Sequence, residues 1–294
     1  MKDDRYYSFF VLAAAILWGT TGTAQNFAAT GASPYSVGAI RLVIGATALV
    51  TMNLFRSSPR RKGLFRRRET YLSAAFISAY QLSFFAGVMK TGVATGTMVA
   101  IGSAPIFAGL YSYLRFREHP GRTWLLATAL SITGCVLLIA GGGALQANAA
   151  GILLTLTAGF AYSMYIATSK SLLAHYAPDA VTTGVFTIGA LLLLPVLLTQ
   201  DLTWLLTWRG AAVALHLGLF TTALAFLLFS YGLSKISFPS AVTLSLAEPI
   251  TASLLGVFLL GEKMTAVSNI GLLMVFLGLV ILSVGQIKAG TASK

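Results

Sequence analysis

Apolar runs of about twenty residues recur ten times along this chain, at roughly 8–27, 34–55, 70–90, 94–114, 123–141, 150–171, 179–199, 210–232, 238–260 and 265–287. A helix of about that length crosses the ~30 Å hydrocarbon core of a bilayer and satisfies its own backbone hydrogen bonds there. The pattern predicts an all-α polytopic membrane protein with ten transmembrane helices. Composition points the same way: 56% of residues are hydrophobic, 10% are charged and the mean hydropathy is +0.81, outside the balance of ordinary soluble domains. The connections are short and leave no room for a separate soluble domain.

The formal net charge of +12 is concentrated in particular connections. Arg56, Arg60, Arg61, Lys62, Arg66, Arg67 and Arg68 lie between the second and third runs, and Arg115, Arg117 and Arg122 between the fourth and fifth. With Lys2, Arg5, Lys170, Lys235, Lys288 and Lys294, sixteen basic residues fall on one side. Lys90, Arg209 and Lys263 fall on the other, and Arg41 lies inside a span. Lys/Arg bias sets membrane orientation, so both termini are expected in the cytoplasm. The basic loop reads as a topology signal that touches anionic headgroups. No basic face with interleaved aromatics suggests a nucleic-acid partner. The segment "FFVLAAAIL" behind Lys2 and Arg5 has the look of a signal peptide, but it belongs to the repeat described next and is read as a retained first helix. Cys135 is the only cysteine, which excludes a disulfide within the chain and any site built on several thiolates.

A shift of 144 residues, without a gap, superimposes the chain on itself. Pro34 meets Pro178, "IGA" at Ile44–Ala46 meets "IGA" at Ile188–Ala190, and Phe85 meets Phe229. Pro105 meets Pro249, Glu118 meets Glu262, Gly134 meets Gly278, and Gly141 meets Gly285. The chain thus divides into a first five-helix repeat, 1–144, and a second, 145–294. Five is odd, so the second copy is expected to enter the membrane inverted. Inverted repeats are a transporter signature and place the substrate site near the bilayer midplane between the halves.

These residues carry a family resemblance over nearly the whole chain. "ILWGTTG" in helix 1, "IRLVIGA" in helix 2, "APIFAGL…RE" in helix 4, "EPITASLLGVFLLGE" in helix 9 and "IGLLMVFLGLVIL" in helix 10 resemble the drug/metabolite transporter superfamily. Within it the chain is similar to ten-helix EamA-type exporters, and most similar to aromatic amino acid exporters of the YddG type. The resemblance implies export of amino acids, including aromatic ones, across a bacterial inner membrane. A transporter of cationic drugs or nucleotide sugars is a second expectation from the same superfamily. A membrane enzyme or sensor is a third, disfavoured because no close His/Asp/Glu set occupies one membrane depth and no output domain is present. No P-loop motif occurs, so ATP is not the expected direct energy source, and no cofactor is implied.

Matching helices of the two repeats supply the candidate substrate-binding residues. They are Trp18 and Thr21 in helix 1, Tyr162 and Tyr165 in helix 6, Tyr80, Gln81 and Phe84 in helix 3, and Thr222 and Phe226 in helix 8. Helix 4 adds Met98 and Ser103, and helix 9 adds Ser245 and Glu248. Aromatic faces with a few hydroxyls and amides suit a partly apolar organic solute; packing is the competing reading, favoured for Phe84 and Phe226. Glu248 is the acidic residue placed deep within a span. Such groups face a cavity or a partner, so it could contact an amino group, carry a coupling proton or hold the broken helix to a neighbour, although its carboxyl could equally bond only backbone freed by the adjacent proline. Arg41 could attract a carboxylate but is read mainly as a structural tie or an outward-snorkelling side chain, and His216 as a packed, hydrogen-bonded residue. Pro105 and Pro249 each remove a mid-helix hydrogen bond and are candidate hinges for alternating access. Gly271, Gly278 and Gly285 in helix 10, and Ala127, Gly134 and Gly141 in helix 5, recur every seven residues. They form smooth strips for close packing, within the chain or across a homodimer.

Overall fold

A computed structural model describes residues 2–27, 31–54, 63–91, 93–117, 121–141, 148–261 and 264–292. Glu118, Glu262, Arg56, Arg60, Arg61, Lys62, Lys263 and Lys294 lie outside the described residues, as do the side chains of Lys2, Arg5 and Lys288 and the surroundings of Gly285. Every regular element described is helical: α1 (Lys2–Asn26), α2 (Pro34–Leu54), α3 (Arg68–Thr91), α4 (Val93–Phe116), α5 (Arg122–Gly141), α6 (Ala149–Leu173), α7 (Pro178–Leu198), α8 (Trp208–Leu233), α9 in two pieces (Phe238–Leu244 and Ala247–Leu260), and α10 (Ala266–Ala292), with short 3₁₀ turns at Leu64–Arg66 and Thr203–Leu206. Eight of these are long and apolar enough to cross a membrane; the apolar parts of α5 and α10 among the described residues, Arg122–Leu137 and Ala266–Leu282, are shorter.

Local chemistry sets the helix starts. Pro34 and Pro178, one repeat apart, each open a helix, where a fixed φ is pre-organised and the missing N–H is not needed. Asn148 caps α6 by accepting from the Gly151 N–H at 3.1 Å, and Thr207 caps α8 by accepting from the Gly210 N–H at 3.0 Å. Between α7 and α8, the Asp201 carboxylate accepts the Thr203 N–H at 2.8 Å. That bond and a second from the Thr203 hydroxyl hold its pKa below the ordinary carboxylate range.

Two helices depart from regular α geometry. In α8 the stretch His216–Leu224 is π-helical, and the Thr222 hydroxyl donates to the Leu217 carbonyl, five residues back, at 2.8 Å. In α9 the interruption stands at Ser245 and Leu246, ahead of Pro249. Pro249 has no N–H for the carbonyl of residue 245, and its ring crowds that carbonyl, so the defect lies one turn N-terminal to the proline. The Glu248 N–H instead closes a tighter turn onto the Ser245 carbonyl at 3.0 Å. Pro105 lies inside α4 without interrupting it. There the Ala104 carbonyl accepts the Ser163 hydroxyl of α6 at 2.8 Å.

Packing follows the 144-residue shift. α3 lies on α6 as α8 lies on α1, α4 on α6 as α9 on α1, and α2 packs on α7 and α5 on α10. The α5–α10 contact is close: a Cβ on Gly134 would stand 2.5 Å from the Gly271 carbonyl oxygen, so backbones meet along the small-residue strip. Lys170 of α6 reaches the C-terminal end of α8, where its ammonium donates to the carbonyls of Leu233 (2.6 Å), Ile236 (2.7 Å) and Ser234 (3.3 Å). The Leu233 and Ser234 carbonyls are ones that a helix end leaves without an intrahelical donor, and Ile236 lies in the connection that follows.

Candidate functional site

Seven helices converge on one cavity of about 420 Å³, counted to its mouth and the open space there, lined by Trp18 and Thr21 (α1), Arg41 (α2), Tyr80 and Phe84 (α3), Ile101 (α4), Tyr162 (α6), Phe226 (α8) and Glu248 (α9). The i, i+4 spacing of Tyr80 and Phe84 and the i, i+3 spacing of Trp18 and Thr21 put each pair on one helix face.

The rings form a continuous wall. Trp18 meets Phe226 at 4.8 Å between centroids and Tyr162 edge-on at 6.1 Å. Tyr80 lies 5.3 Å from Tyr162 and stacks on Phe84 at 5.4 Å. Offset and edge-on arrangements of this kind are the favoured ones for aromatic pairs. Behind the wall, Ser245, at the α9 break, fixes the Tyr162 hydroxyl at 3.2 Å. Tyr165 is buried between Phe186 and Phe226.

Arg41 is held rigidly. Its Nε donates to the Thr222 hydroxyl at 3.0 Å, and Nη2 to the Thr221 carbonyl and hydroxyl at 3.2 and 3.3 Å. Both threonines belong to the π-helical stretch of α8. Close approach of the two backbones makes the reach short, since a Cβ on Gly45 would stand 2.5 Å from Thr222 Cγ2. Glu248 enters the cavity from the first turn after the α9 break. Its carboxyl makes no hydrogen bond or ion pair among the described residues, where the one salt bridge is Arg68–Glu69.

The structure therefore sorts the candidate residues. Trp18, Thr21, Tyr80, Phe84, Tyr162, Phe226 and Glu248 line the cavity. Tyr165, Thr222 and Ser245 stand one layer behind and touch lining side chains. Gln81, Met98 and Ser103 do not line it. Gln81 follows Tyr80 by one residue and so turns onto another face, where it is buried with neither amide atom hydrogen-bonded. Ser103 lies two residues past Ile101 and donates to the Ala100 carbonyl at 3.1 Å, while Met98 packs against the main apolar core.

Three sequence expectations change. Phe84 and Phe226, favoured as packing, are wall residues, and Arg41 points into the cavity as well as tying α2 to α8. Its signal was available, because a lone cation inside a span faces the bundle interior by default. His216 does make a hydrogen bond, to the Thr20 hydroxyl at 2.8 Å. No group of three His, Cys, Asp or Glu among the described residues is placed to hold a metal ion.

Comparison with known proteins gives this architecture its family. A model of the EamA-like transporter family matches residues 5–140 and again 149–284, two segments offset by the same 144 residues. The chain belongs to the EamA-like transporter family. It is 41% identical over 286 residues to the uncharacterized transporter YwfM of Bacillus subtilis, covering 97% of this chain and 96% of that one. It is 27% identical over 302 residues to the uncharacterized inner membrane transporter YicL of Salmonella typhimurium, across 100% of both chains. A protein of Streptantibioticus cattleyicolor, named a probable terminal-alkyne amino-acid exporter, is 27% identical over 201 residues, covering 67% of this chain and 66% of that one. A solved crystal structure shares the fold with a TM-score of 0.80 at 19% identity, over 94% of this chain and 96% of that one. The chain is a transporter of this family, and the relatives named here carry transporter or exporter names.

Proposed function

We propose that this transporter exports small organic solutes, amino acids including aromatic ones, from the cytoplasm across a bacterial inner membrane by alternating access. The observation that carries the reading is the wall of Trp18, Tyr80, Phe84, Tyr162 and Phe226 around one cavity where both repeats meet. Such a surface stacks on a ring or buries an aliphatic side chain, and a few polar groups among mostly apolar walls are the usual make-up of a small-molecule site. The relative named a probable terminal-alkyne amino-acid exporter supports the solute class.

In this reading the two repeats are inverted copies, both termini face the cytoplasm, and Pro105 and Pro249 serve as hinges that let α4 and α9 open the cavity alternately to each side. Glu248 also favours a second reading, an organic cation as solute, against which the guanidinium of Arg41 in the same cavity weighs. Counterflow of radiolabelled amino acids in liposomes of purified protein tests the proposal. Trp18→Ala and Tyr80→Ala are each expected to lower uptake with the amount of protein in the membrane unchanged. Equal uptake by wild type and both variants refutes the aromatic cavity as the solute site. Silence with every amino acid and uptake of an organic cation favours the second reading.

A further inference from the structure

Two side chains in the cavity retain hydrogen-bonding capacity that the protein does not use. The buried guanidinium of Arg41 spends Nε and Nη2 on Thr222 and Thr221, which leaves Nη1 and its two donors without a partner among the described residues. The Glu248 carboxyl accepts nothing from any described residue, and the two groups lie farther apart than an ion pair. Ionisable groups in a membrane interior are costly unless matched. A guanidinium fixed on two sides is a poor candidate for swinging across to the carboxyl, because its bonds to α8 would have to break.

The geometry points to a zwitterion clamp: Arg41 Nη1 takes the carboxylate of an α-amino acid, Glu248 takes its ammonium, and Trp18, Tyr162 and Phe226 receive the side chain. The inference rests on the transport reading above and specifies its solute, which must carry both charges on adjacent carbons. Each pole is a charge-assisted hydrogen bond, and a solute lacking one charge leaves the opposing group desolvated and unpaired. Neither pole is repeated in the other half: the 144-residue shift places Val185 opposite Arg41 and Ala104 opposite Glu248. The clamp therefore has a single polarity, and the solute a single orientation, within a frame of repeated helices.

The test is competition against labelled L-phenylalanine counterflow by three unlabelled probes: L-phenylalanine, L-phenylalaninamide, which lacks the carboxylate, and 3-phenylpropanoate, which lacks the ammonium. Both singly charged probes are expected to compete at least 10-fold more weakly than phenylalanine, 1.4 kcal/mol per tenfold. Arg41→Gln is expected to narrow the gap for the amide alone, and Glu248→Gln the gap for phenylpropanoate alone. Because either variant could fail to fold, the wild-type ranking stands as a test by itself. Equal competition by all three probes overturns the clamp and leaves amino acid transport intact. Absence of counterflow with every amino acid overturns both.

Discussion

Gly19 sits where α1 crosses α9, and its neighbours leave no space for a methyl group. A Cβ there would stand 2.5 Å from Thr251 Cβ, 2.9 Å from Thr251 Cγ2 and 2.8 Å from the Glu248 carbonyl oxygen. Carbon atoms rest at about 3.5–4.0 Å from one another, so Gly19→Ala must part the two helices by roughly 1 Å. Overpacking of this kind costs about 1–3 kcal/mol. Gly22, one turn along the same helix, has nothing within 4 Å of its Cβ position. Gly22→Ala is expected to be neutral or to stabilise by up to about 1 kcal/mol, the helix preference for Ala over Gly. The pair separates the crossing from any general effect of adding a methyl group to α1. Thermal unfolding of the purified protein should place Gly19→Ala several degrees below wild type, at about 2 °C per kcal/mol, and Gly22→Ala at or above it. Amino acid uptake should fall in Gly19→Ala, because the parted crossing carries both Trp18 and Glu248. Thr251→Gly added to Gly19→Ala should recover part of the loss, since it removes the two Thr251 contacts and leaves the carbonyl. Equal melting temperatures for the two alanine variants would refute the reasoning. The equivalent crossing of the other half already carries a larger residue: Ser163, 144 residues on, donates to the Ala104 carbonyl, so the two crossings differ in spacing by design of their sequences.

Two further expectations follow from polar contacts outside the cavity. Lys170→Met keeps most of the apolar stem but removes the donors that three carbonyls at the end of α8 share. Each lost bond of a charged donor is worth about 1.5–3 kcal/mol, and hydrogen exchange should quicken first at residues 233–236. Unchanged protection there would show that water replaces the ammonium. At Asp201, bonds from Thr203 depress the folded pKa. The contribution to loop order is therefore present above the unfolded value of about 3.9 and is lost as pH falls through the folded value. Asp201→Asn should accordingly melt with a weaker pH dependence than wild type below about pH 4 and differ by a constant amount above it; identical pH dependence of the two proteins would refute the assignment.

The helices and the repeat were legible because bilayer length and a fixed 144-residue offset are properties of the chain alone. Which face of each helix turns inward was less so. In a soluble helix the buried stripe contrasts with a polar one, but lipid and core are equally apolar, and Phe84 and Phe226 carry no mark that separates wall from packing. Gln81 and Ser103 were polar and near the right depth, yet one or two residues of rotation put them on other faces. The position of the α9 break followed from Pro249 only once the displaced carbonyl was placed at Ser245. The π-helical stretch of α8 had no signal of its own, since nothing in "HLGLFTTAL" forbids an α-helix; it presents Thr221 and Thr222 to Arg41, which lies 180 residues earlier.

Trp18 gives the protein a built-in optical reporter. Of the four tryptophans it alone lines the cavity; Trp124 packs against Gly109, Trp204 is bonded to Ser36 and Trp208 is on the surface. Its indole N–H is buried with no acceptor among the described residues, and its ring is surrounded by Tyr162, Phe226 and Phe229. Emission from such an indole is sensitive to any dipole brought alongside. With the other three changed to phenylalanine, cavity occupancy can be followed by unlabelled fluorescence in real time, solute by solute.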